Sequence, residues 1–109
     1  MRQYEVWWAN LPLPADKRPV LLLTREAGYD YLNKFIAAEI TTTIRHIRQE
    51  VLLGPKEGLS KSCAANLDNL RTISKTALTK RAGELAPGRH VEVRRALGYA
   101  LGWRELMDT

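Results

Sequence analysis

The residues best suited to chemistry in this chain are an arginine and a run of hydroxyls. Arg18 directly precedes Pro19, which lacks an N–H and holds the residue before it in extended geometry. The apolar run at positions 20–23 predicts a strand buried on both faces, so Arg18 would sit at the mouth of a rigid strand. A guanidinium held in this way can donate two hydrogen bonds to a phosphate. An arginine at a strand edge can equally be an ordinary solvated cation.

Three successive threonines supply the hydroxyls. Thr41, Thr42 and Thr43 follow a segment rich in β-branched residues. Cleavage of RNA by its own 2′-hydroxyl needs an oriented nucleophile, a neutralised charge at phosphorus and help for the 5′-oxygen as it leaves. An arginine meets the second need, and a threonine hydroxyl can hold the 2′-oxygen or a phosphate oxygen. Such a site would depend on positioning and electrostatics, because an arginine is a poor general acid or base.

Other catalytic and cofactor motifs are missing from the sequence. It holds no glycine-rich phosphate loop, no paired cysteines, no His/Cys/Asp cluster at metal spacing and no Ser/His/Asp order, so neither a metal nor a cofactor is expected. His46 and His90 are single histidines beside arginines, and we expect them to face solvent. Cys63, beside two alanines, is expected to be a small buried apolar residue.

Length and charge restrict the class of protein. The 109 residues suggest one domain over 1–109, and 17 Lys and Arg against 12 Asp and Glu give a net charge of +5. This charge favours nucleic acid, an anionic membrane surface or an acidic protein segment as partner, and the basic stretch 71–104 can also be a solvated face. We expect a cytoplasmic protein, because no run approaches transmembrane length and the chain starts without a signal-like apolar segment.

The elements that would position these groups are predominantly strands. Residues 4–9 predict a first strand with one well-buried face; Tyr4, Val6 and Trp8 lie on one side, and Glu5, Trp7 and Ala9 on the other, so both sides carry a tryptophan. The two prolines in 10–16 predict a loop that closes a hairpin with the second strand. Further strands are expected at 35–44, 50–53, 62–67 and 70–74.

The last third of the chain changes its pattern. An irregular connection is expected at 25–34, a helical turn at 75–80, an extended piece at 81–85 and a helix at 87–103. One face of that helix would carry apolar side chains, namely Val93, Leu97, Ala100 and Leu101. Five or six strands followed by a helix predict a small antiparallel α+β barrel.

Several segments resemble, in order, the MazF/PemK family of toxin endoribonucleases of type II toxin–antitoxin systems. The resemblance spans nearly the whole chain and is carried by residues 5–8 (EVWW), 18–22 (RPVLL), 36–45 (IAAEITTTIR), 67–78 (LDNLRTISKTAL) and 81–85 (RAGEL). It implies an SH3-like barrel of the CcdB/MazF type that forms a homodimer. It also implies a metal-independent endoribonuclease that cuts single-stranded RNA to 2′,3′-cyclic phosphate and 5′-hydroxyl ends, inhibiting translation and growth.

The resemblance also assigns residues and a partner. The family's catalytic arginine, in its Arg-Pro-Val motif, falls on Arg18, and its catalytic threonine falls on Thr41. Residues expected to bind the RNA are Lys17, Thr42, Thr43, Arg45, His46 and Arg71. The implied partner is a cognate antitoxin whose flexible acidic segment covers the RNA groove, which fits the excess of basic charge.

The chain departs from the family pattern near the site. Many relatives carry a glycine where this chain has Tyr4 and an aspartate where it has Asn10, and the loop before Arg18 is short and rich in proline. RNA sequence choice would depend on the loops after Ala9, Thr24 and Gly54, whose shape a sequence does not fix.

Two alternative functions remain at this point. A gyrase-poisoning toxin of the CcdB type would depend on an exposed tryptophan near the C-terminus, whereas we expect Trp103 to pack on the helix. A non-catalytic nucleic-acid-binding barrel would not need Arg18.

Overall fold

Six antiparallel strands form one curled sheet in the computed structural model, which describes residues 1–108. The strands are β1 (Glu5–Asn10), β2 (Lys17–Leu22), β3 (Lys34–Thr41), β4 (Glu50–Leu53), β5 (Cys63–Ser74) and β6 (Leu78–Glu84), in the spatial order β4-β5-β3-β2-β1-β6. Two helices follow, α1 (His90–Leu101) and α2 (Arg104–Met107). The predicted antiparallel α+β fold is confirmed, with a half-barrel sheet and a C-terminal helix.

The central strand β2 contributes to a core on each face of the sheet. Val20, Leu21 and Leu22 are fully buried. Leu21 belongs to one apolar cluster together with Val93 of α1, whereas Val20 and Leu22 belong to a second cluster with Phe35. Successive strand residues point to opposite faces, so a continuous apolar run serves both clusters. The prediction of a strand buried on both faces is confirmed.

Strands β1 and β2 form the predicted hairpin. Ala9 pairs with Arg18, and the loop 11–16 is closed by the Leu11 N–H, which donates to the Asp16 carbonyl at 2.8 Å. The buried side of β1 does not extend along the whole strand: Val6 is fully buried, but Trp8, on the same side, is 38 % exposed. Trp8 lies towards the end of the strand, where the wall of a cleft replaces the core.

Strand β5 replaces the two strands predicted at 62–67 and 70–74. The polar pair at 68–69 suggested a break, but β3 pairs with both halves of β5, and the register shifts between Ala38 and Glu39. Residues 67–69 form the extra length of this bulge, where the Asp68 N–H donates to the Asn66 side chain at 2.9 Å. A bulge therefore takes up polar residues without ending the strand.

Three predicted boundaries also differ. Strand β3 ends at Thr41 rather than at 44, and the predicted helical turn at 75–80 is a 3₁₀ turn only at Lys75–Ala77. Strand β6 begins at Leu78 because β1 offers an edge with which it pairs, and it includes most of the predicted extended piece. The irregular connection 25–34 holds one 3₁₀ turn, as expected.

The C-terminal helix is shorter than predicted. A 3₁₀ turn at Pro87–Arg89 precedes α1, which ends where Gly102 adopts a left-handed conformation (φ 65°). Val93 packs in the core, but Leu101, the last residue of α1, and Trp103, which follows the Gly102 cap, are 57 % and 52 % exposed. The expectations that Leu101 is on the buried face and that Trp103 packs on the helix are therefore wrong. Within residues 1–108, the helices are too short or too polar to cross a bilayer.

Candidate active site

Arg18 and Thr41 line one cleft at the end of the sheet, where β1 and β3 end and β2 begins. This Thr41 cleft has a volume of about 330 Å³. Its polar and aromatic lining includes Trp8, Lys17, Arg18, Thr41, Thr42 and Lys61. The structure thus brings together the two residues expected to be catalytic, along with two of those expected to bind RNA.

The register of the sheet explains why Arg18 and Thr41 meet. In the antiparallel pair β2–β3, Val20 lies opposite Glu39. Arg18 and Thr41 each lie two residues beyond this last pair, towards the same end of the sheet. Arg18 is fixed on its other side by pairing with Ala9 of β1, and its side chain is 36 % exposed. A guanidinium on this rigid strand remains open to a ligand.

Thr41 is held in a defined orientation at the last position of β3. Its Oγ1 accepts the backbone N–H of Thr43 at 3.1 Å. The hydroxyl proton is left free to be donated to a phosphate or sugar oxygen. Thr42 lines the same cleft, whereas Thr43 contributes through its backbone.

A second cleft lies on the other side of Arg18. This Glu39 cleft, of about 450 Å³, is lined by Arg18, Glu39, Arg71 and the loop residues 12–15. Glu39 joins the two arginines: its carboxylate oxygens lie 3.3 Å from Arg18 Nη1 and 3.5 Å from Arg71 Nε. Arg71 Nη1 is buried and has no hydrogen-bond partner within residues 1–108. The predicted RNA-binding residue Arg71 is therefore adjacent to Arg18 but belongs to a separate cleft.

The lining of the Thr41 cleft favours anions. Lys17, Arg18 and Lys61 line it, and no Asp or Glu is among its lining residues in the described chain. Cys63 also reaches its wall, but burial, reinforced by the negative charge of Glu57, raises the pKa of that thiol. Cys63 is 4 % exposed and stays a neutral apolar residue, as expected. Residues 1–108 hold no group of three or more His, Cys, Asp or Glu side chains arranged to bind a metal ion.

Three predicted RNA-binding residues, Thr43, Arg45 and His46, do not line either cleft. The backbone N–H groups of Arg45 and His46 donate to the Glu50 carboxylate at 2.9 to 3.2 Å, which shapes the turn after β3. His46 is exposed and lines a separate hollow beside Arg89. The prediction that His46 faces solvent is confirmed.

The same prediction is wrong for His90. Its ring is half-buried and stacks on the Tyr4 ring, with the ring centroids 3.7 Å apart.

Sequence reasoning missed three residues of the site. Alternation along β1 does not show that Trp8 faces a cleft, and the sequence around Glu39 does not show its two arginine partners, because they come from other strands. Lys61 belongs to the loop after Gly54, which was identified as a region that shapes the pocket, although the lysine itself was not singled out.

Comparisons with known proteins agree with this architecture. The family model of the PemK-like, MazF-like toxin of type II toxin–antitoxin systems matches residues 2–101. The probable endoribonuclease MazF5 of Mycobacterium tuberculosis is 36 % identical over 98 residues, covering 89 % of each chain.

Solved structures show the same relationship. The Mycobacterium tuberculosis toxin MazF-mt6 superposes with a TM-score of 0.84 at 32 % identity, covering 90 % of this chain and 96 % of that one. A mycobacterial endoribonuclease in complex with its cognate antitoxin gives a TM-score of 0.80 at 28 % identity, covering 94 % and 95 %. The resemblance read from the ordered sequence segments is confirmed, and the chain belongs to the family of PemK-like, MazF-like toxins of type II toxin–antitoxin systems.

Proposed function

We propose that this chain is the toxin of a toxin–antitoxin pair and acts as an endoribonuclease on single-stranded RNA, without a metal. The observation that carries the proposal is the Thr41 cleft: Arg18 and Thr41 line it together with two lysines, and no carboxylate is among its lining residues in the described chain. A related protein of Mycobacterium tuberculosis, 35 % identical over 88 residues, bears the name endoribonuclease MazF3, which supports the same activity here. Cleavage of messages or other RNAs would inhibit translation and growth.

The proposed reaction is an internal transesterification. The 2′-oxygen attacks phosphorus, the bond to the 5′-oxygen breaks, and the products carry a 2′,3′-cyclic phosphate and a 5′-hydroxyl. The 2′-hydroxyl loses its proton to water, and the 5′-oxygen gains one. Arg18 would donate to the non-bridging oxygens as negative charge builds on them, and Thr41 would hold the 2′-hydroxyl or a phosphate oxygen. Positioned donors of this kind lower the barrier without needing a perturbed base.

The remaining basic and hydroxyl residues would guide the RNA strand. Lys17 and Thr42 line the Thr41 cleft, and Arg71 extends the cationic surface into the Glu39 cleft. Thr43, Arg45 and His46 lie along the turn that leaves β3, where a longer RNA would continue.

The proposal includes partners and location. A cognate antitoxin with a flexible acidic segment would cover the cationic cleft, by analogy with the relative solved with its antitoxin. We also propose a single toxin domain that forms a homodimer and works in the cytoplasm.

The test is RNA cleavage by the purified, antitoxin-free protein in EDTA. Wild type should cut a mixed RNA at one short motif. Arg18→Ala should abolish cutting, and Thr41→Val should reduce it strongly while keeping the side-chain volume. Arg104→Ala, which removes an exposed arginine of α2, is the matched control and should cut like wild type. Intact RNA with wild type would overturn the proposal, as would undiminished cutting by Arg18→Ala.

A further inference from the structure

Two adjacent tryptophans of β1 have opposite surroundings. Trp7 is half-buried, its indole Nε1 donates to the Glu5 carboxylate at 2.9 Å, and it packs against the second apolar cluster. Trp8 is 38 % exposed. Burying a tryptophan ring is strongly favourable, so a ring left open beside a cleft of the proposed active site suggests a ligand that covers it.

The Trp8 ring stands between two basic clefts. It lines the Thr41 cleft, and it also lines a neighbouring cleft of about 250 Å³ together with Asn10, Lys17, Thr79 and Lys80. This Lys80 cleft, like the Thr41 cleft, has no Asp or Glu among its lining residues in the described chain. An aromatic face flanked by lysines and free of carboxylates suits a flat, electron-rich ring that is attached to a phosphate chain.

The backbone under Trp8 is rigid. Strand β1 is paired on both sides, and Trp8 lies opposite Pro19 of β2 and Lys80 of β6. The Thr79 hydroxyl donates to the Trp8 carbonyl at 3.3 Å. The register between β1 and β6 shifts here, because Ala9 pairs with Leu78 and leaves Thr79 as the extra residue. Bulges of this kind reorient side chains beside functional sites, so the ring is presented at a fixed position.

We propose that Trp8 is a stacking platform for one nucleobase of the single-stranded RNA, next to the phosphate that Arg18 contacts. The backbone of that nucleotide would follow Lys17 and Lys80, which line the Lys80 cleft and come from the two strands that flank β1. Every nucleobase has a flat face, so this contact adds affinity and fixes the strand without selecting a sequence. The inference deepens the proposed function and rests on it.

The test measures RNA binding in the Arg18→Ala background, where the RNA is not cut. The probe is a short RNA that wild type cleaves. Trp8→Leu keeps an apolar side chain but removes the aromatic face, and it should weaken binding about tenfold or more. Trp8→Phe keeps an aromatic face and should stay within about threefold of the parent. Trp103→Leu, which changes a more exposed tryptophan that does not line either cleft, should bind like the parent.

An abasic scan of the RNA locates the stacked base. Removing one particular base should weaken binding to the parent by a factor similar to that of Trp8→Leu, and it should have little further effect in the Trp8→Leu protein. Equal binding by Trp8→Leu and the parent would overturn the inference. It would also be overturned if, at every abasic position, the loss of affinity from the missing base multiplied the loss from Trp8→Leu. If wild type neither binds nor cuts any RNA, the proposed function itself fails. If wild type cuts RNA but Trp8→Leu binds it normally, only the stacking inference fails.

Discussion

Glu5 anchors the start of β1, and replacing it with glutamine should destabilise the protein measurably. Glu5 is 7 % exposed, and its carboxylate accepts three hydrogen bonds: from the Arg2 N–H at 2.8 Å, from Trp7 Nε1 at 2.9 Å and from Arg81 Nε at 2.8 Å. In Glu5→Gln one oxygen can keep the first two donors, but the new NH₂ group faces the Arg81 donor. The link between β1 and β6 is then replaced by two opposed donors.

The size of the loss follows from the burial of the two partners. A hydrogen bond to a charged group contributes about 1.5–3 kcal/mol. The Arg81 side chain is 44 % exposed and can recover water when its partner is removed, so the lower part of that range applies. We expect Glu5→Gln to lower the free energy of unfolding by about 2 kcal/mol at pH 7. Glu84→Gln is the matched control: Glu84 contacts the same Arg81 at 3.6 Å but is 60 % exposed, so its loss should change stability little.

The pKa of Glu5 determines the direction in which its contribution to stability changes with pH. Burial alone would raise the pKa of Glu5, but hydrogen bonds from Trp7, Arg81 and the Arg2 backbone outweigh it and leave the pKa below its ordinary value of 4.5. The unfolded chain therefore takes up this proton first as pH falls. The stabilisation by Glu5 is complete above the unfolded pKa and is lost as pH falls through the folded pKa.

Urea denaturation at a series of pH values measures the effect. The stability gap between wild type and Glu5→Gln should be constant from about pH 8 to about pH 5.5 and should narrow below pH 4.5. Equal stability of the two proteins at pH 7, or a gap that widens in acid, would refute the reasoning.

Three further substitutions test other parts of the structure. Glu39→Gln should lower kcat for RNA cleavage about tenfold, because Arg18 loses the carboxylate that orients it. KM should not rise, since the substitution also makes the cleft more positively charged. A raised KM at constant kcat would contradict this. Gly58→Ala should cost about 3 kcal/mol of stability in urea denaturation, since φ is +86° and the new Cβ would lie 1.9 Å from the Ala82 carbonyl oxygen, whereas Gly88→Ala has open space and should be near neutral. Arg89→Met should lower stability by about 2 kcal/mol in thermal unfolding, because Arg89 contacts a buried carboxylate at 3.4 Å, and an unchanged Tm would contradict this.

Much of the fold could be predicted from the sequence, because neighbouring residues indicated the same strands and loops that the structure contains. The prolines of the loop 10–16 and the apolar run 20–23 led to the hairpin and to the doubly buried β2, both confirmed. Prediction failed where partners distant in sequence decide the structure. The polar pair at 68–69 resembles the end of a strand, because the neighbouring sequence does not show that β3 pairs with β5 on both sides of this pair. Leu78 belongs to strand β6 rather than to the predicted helical turn, because it pairs with Ala9 at the edge of β1.

The candidate site divides in the same way. Arg18 could be singled out because its neighbour Pro19 and the strand after it fix its position locally, whereas only the resemblance to the MazF/PemK family distinguishes Thr41 from Thr42 and Thr43. Alternation along β1 gives Trp8 and Val6 the same face, but it cannot show that the core ends before Trp8. The ion pairs of Glu39 with two arginines require three strands in register, so no single segment of sequence reveals them.

The chemistry proposed for Arg18 and Thr41 is tested most directly with a matched pair of RNA oligonucleotides in EDTA. Both contain the motif that the protein cuts, and one carries a 2′-deoxy nucleotide immediately 5′ to the cut. Mass spectrometry of the products should show a 2′,3′-cyclic phosphate and a 5′-hydroxyl from the all-ribose strand, no product from the 2′-deoxy strand, and no product from either with Arg18→Ala. Cutting of the 2′-deoxy strand, or products that carry a 5′-phosphate, would contradict the account.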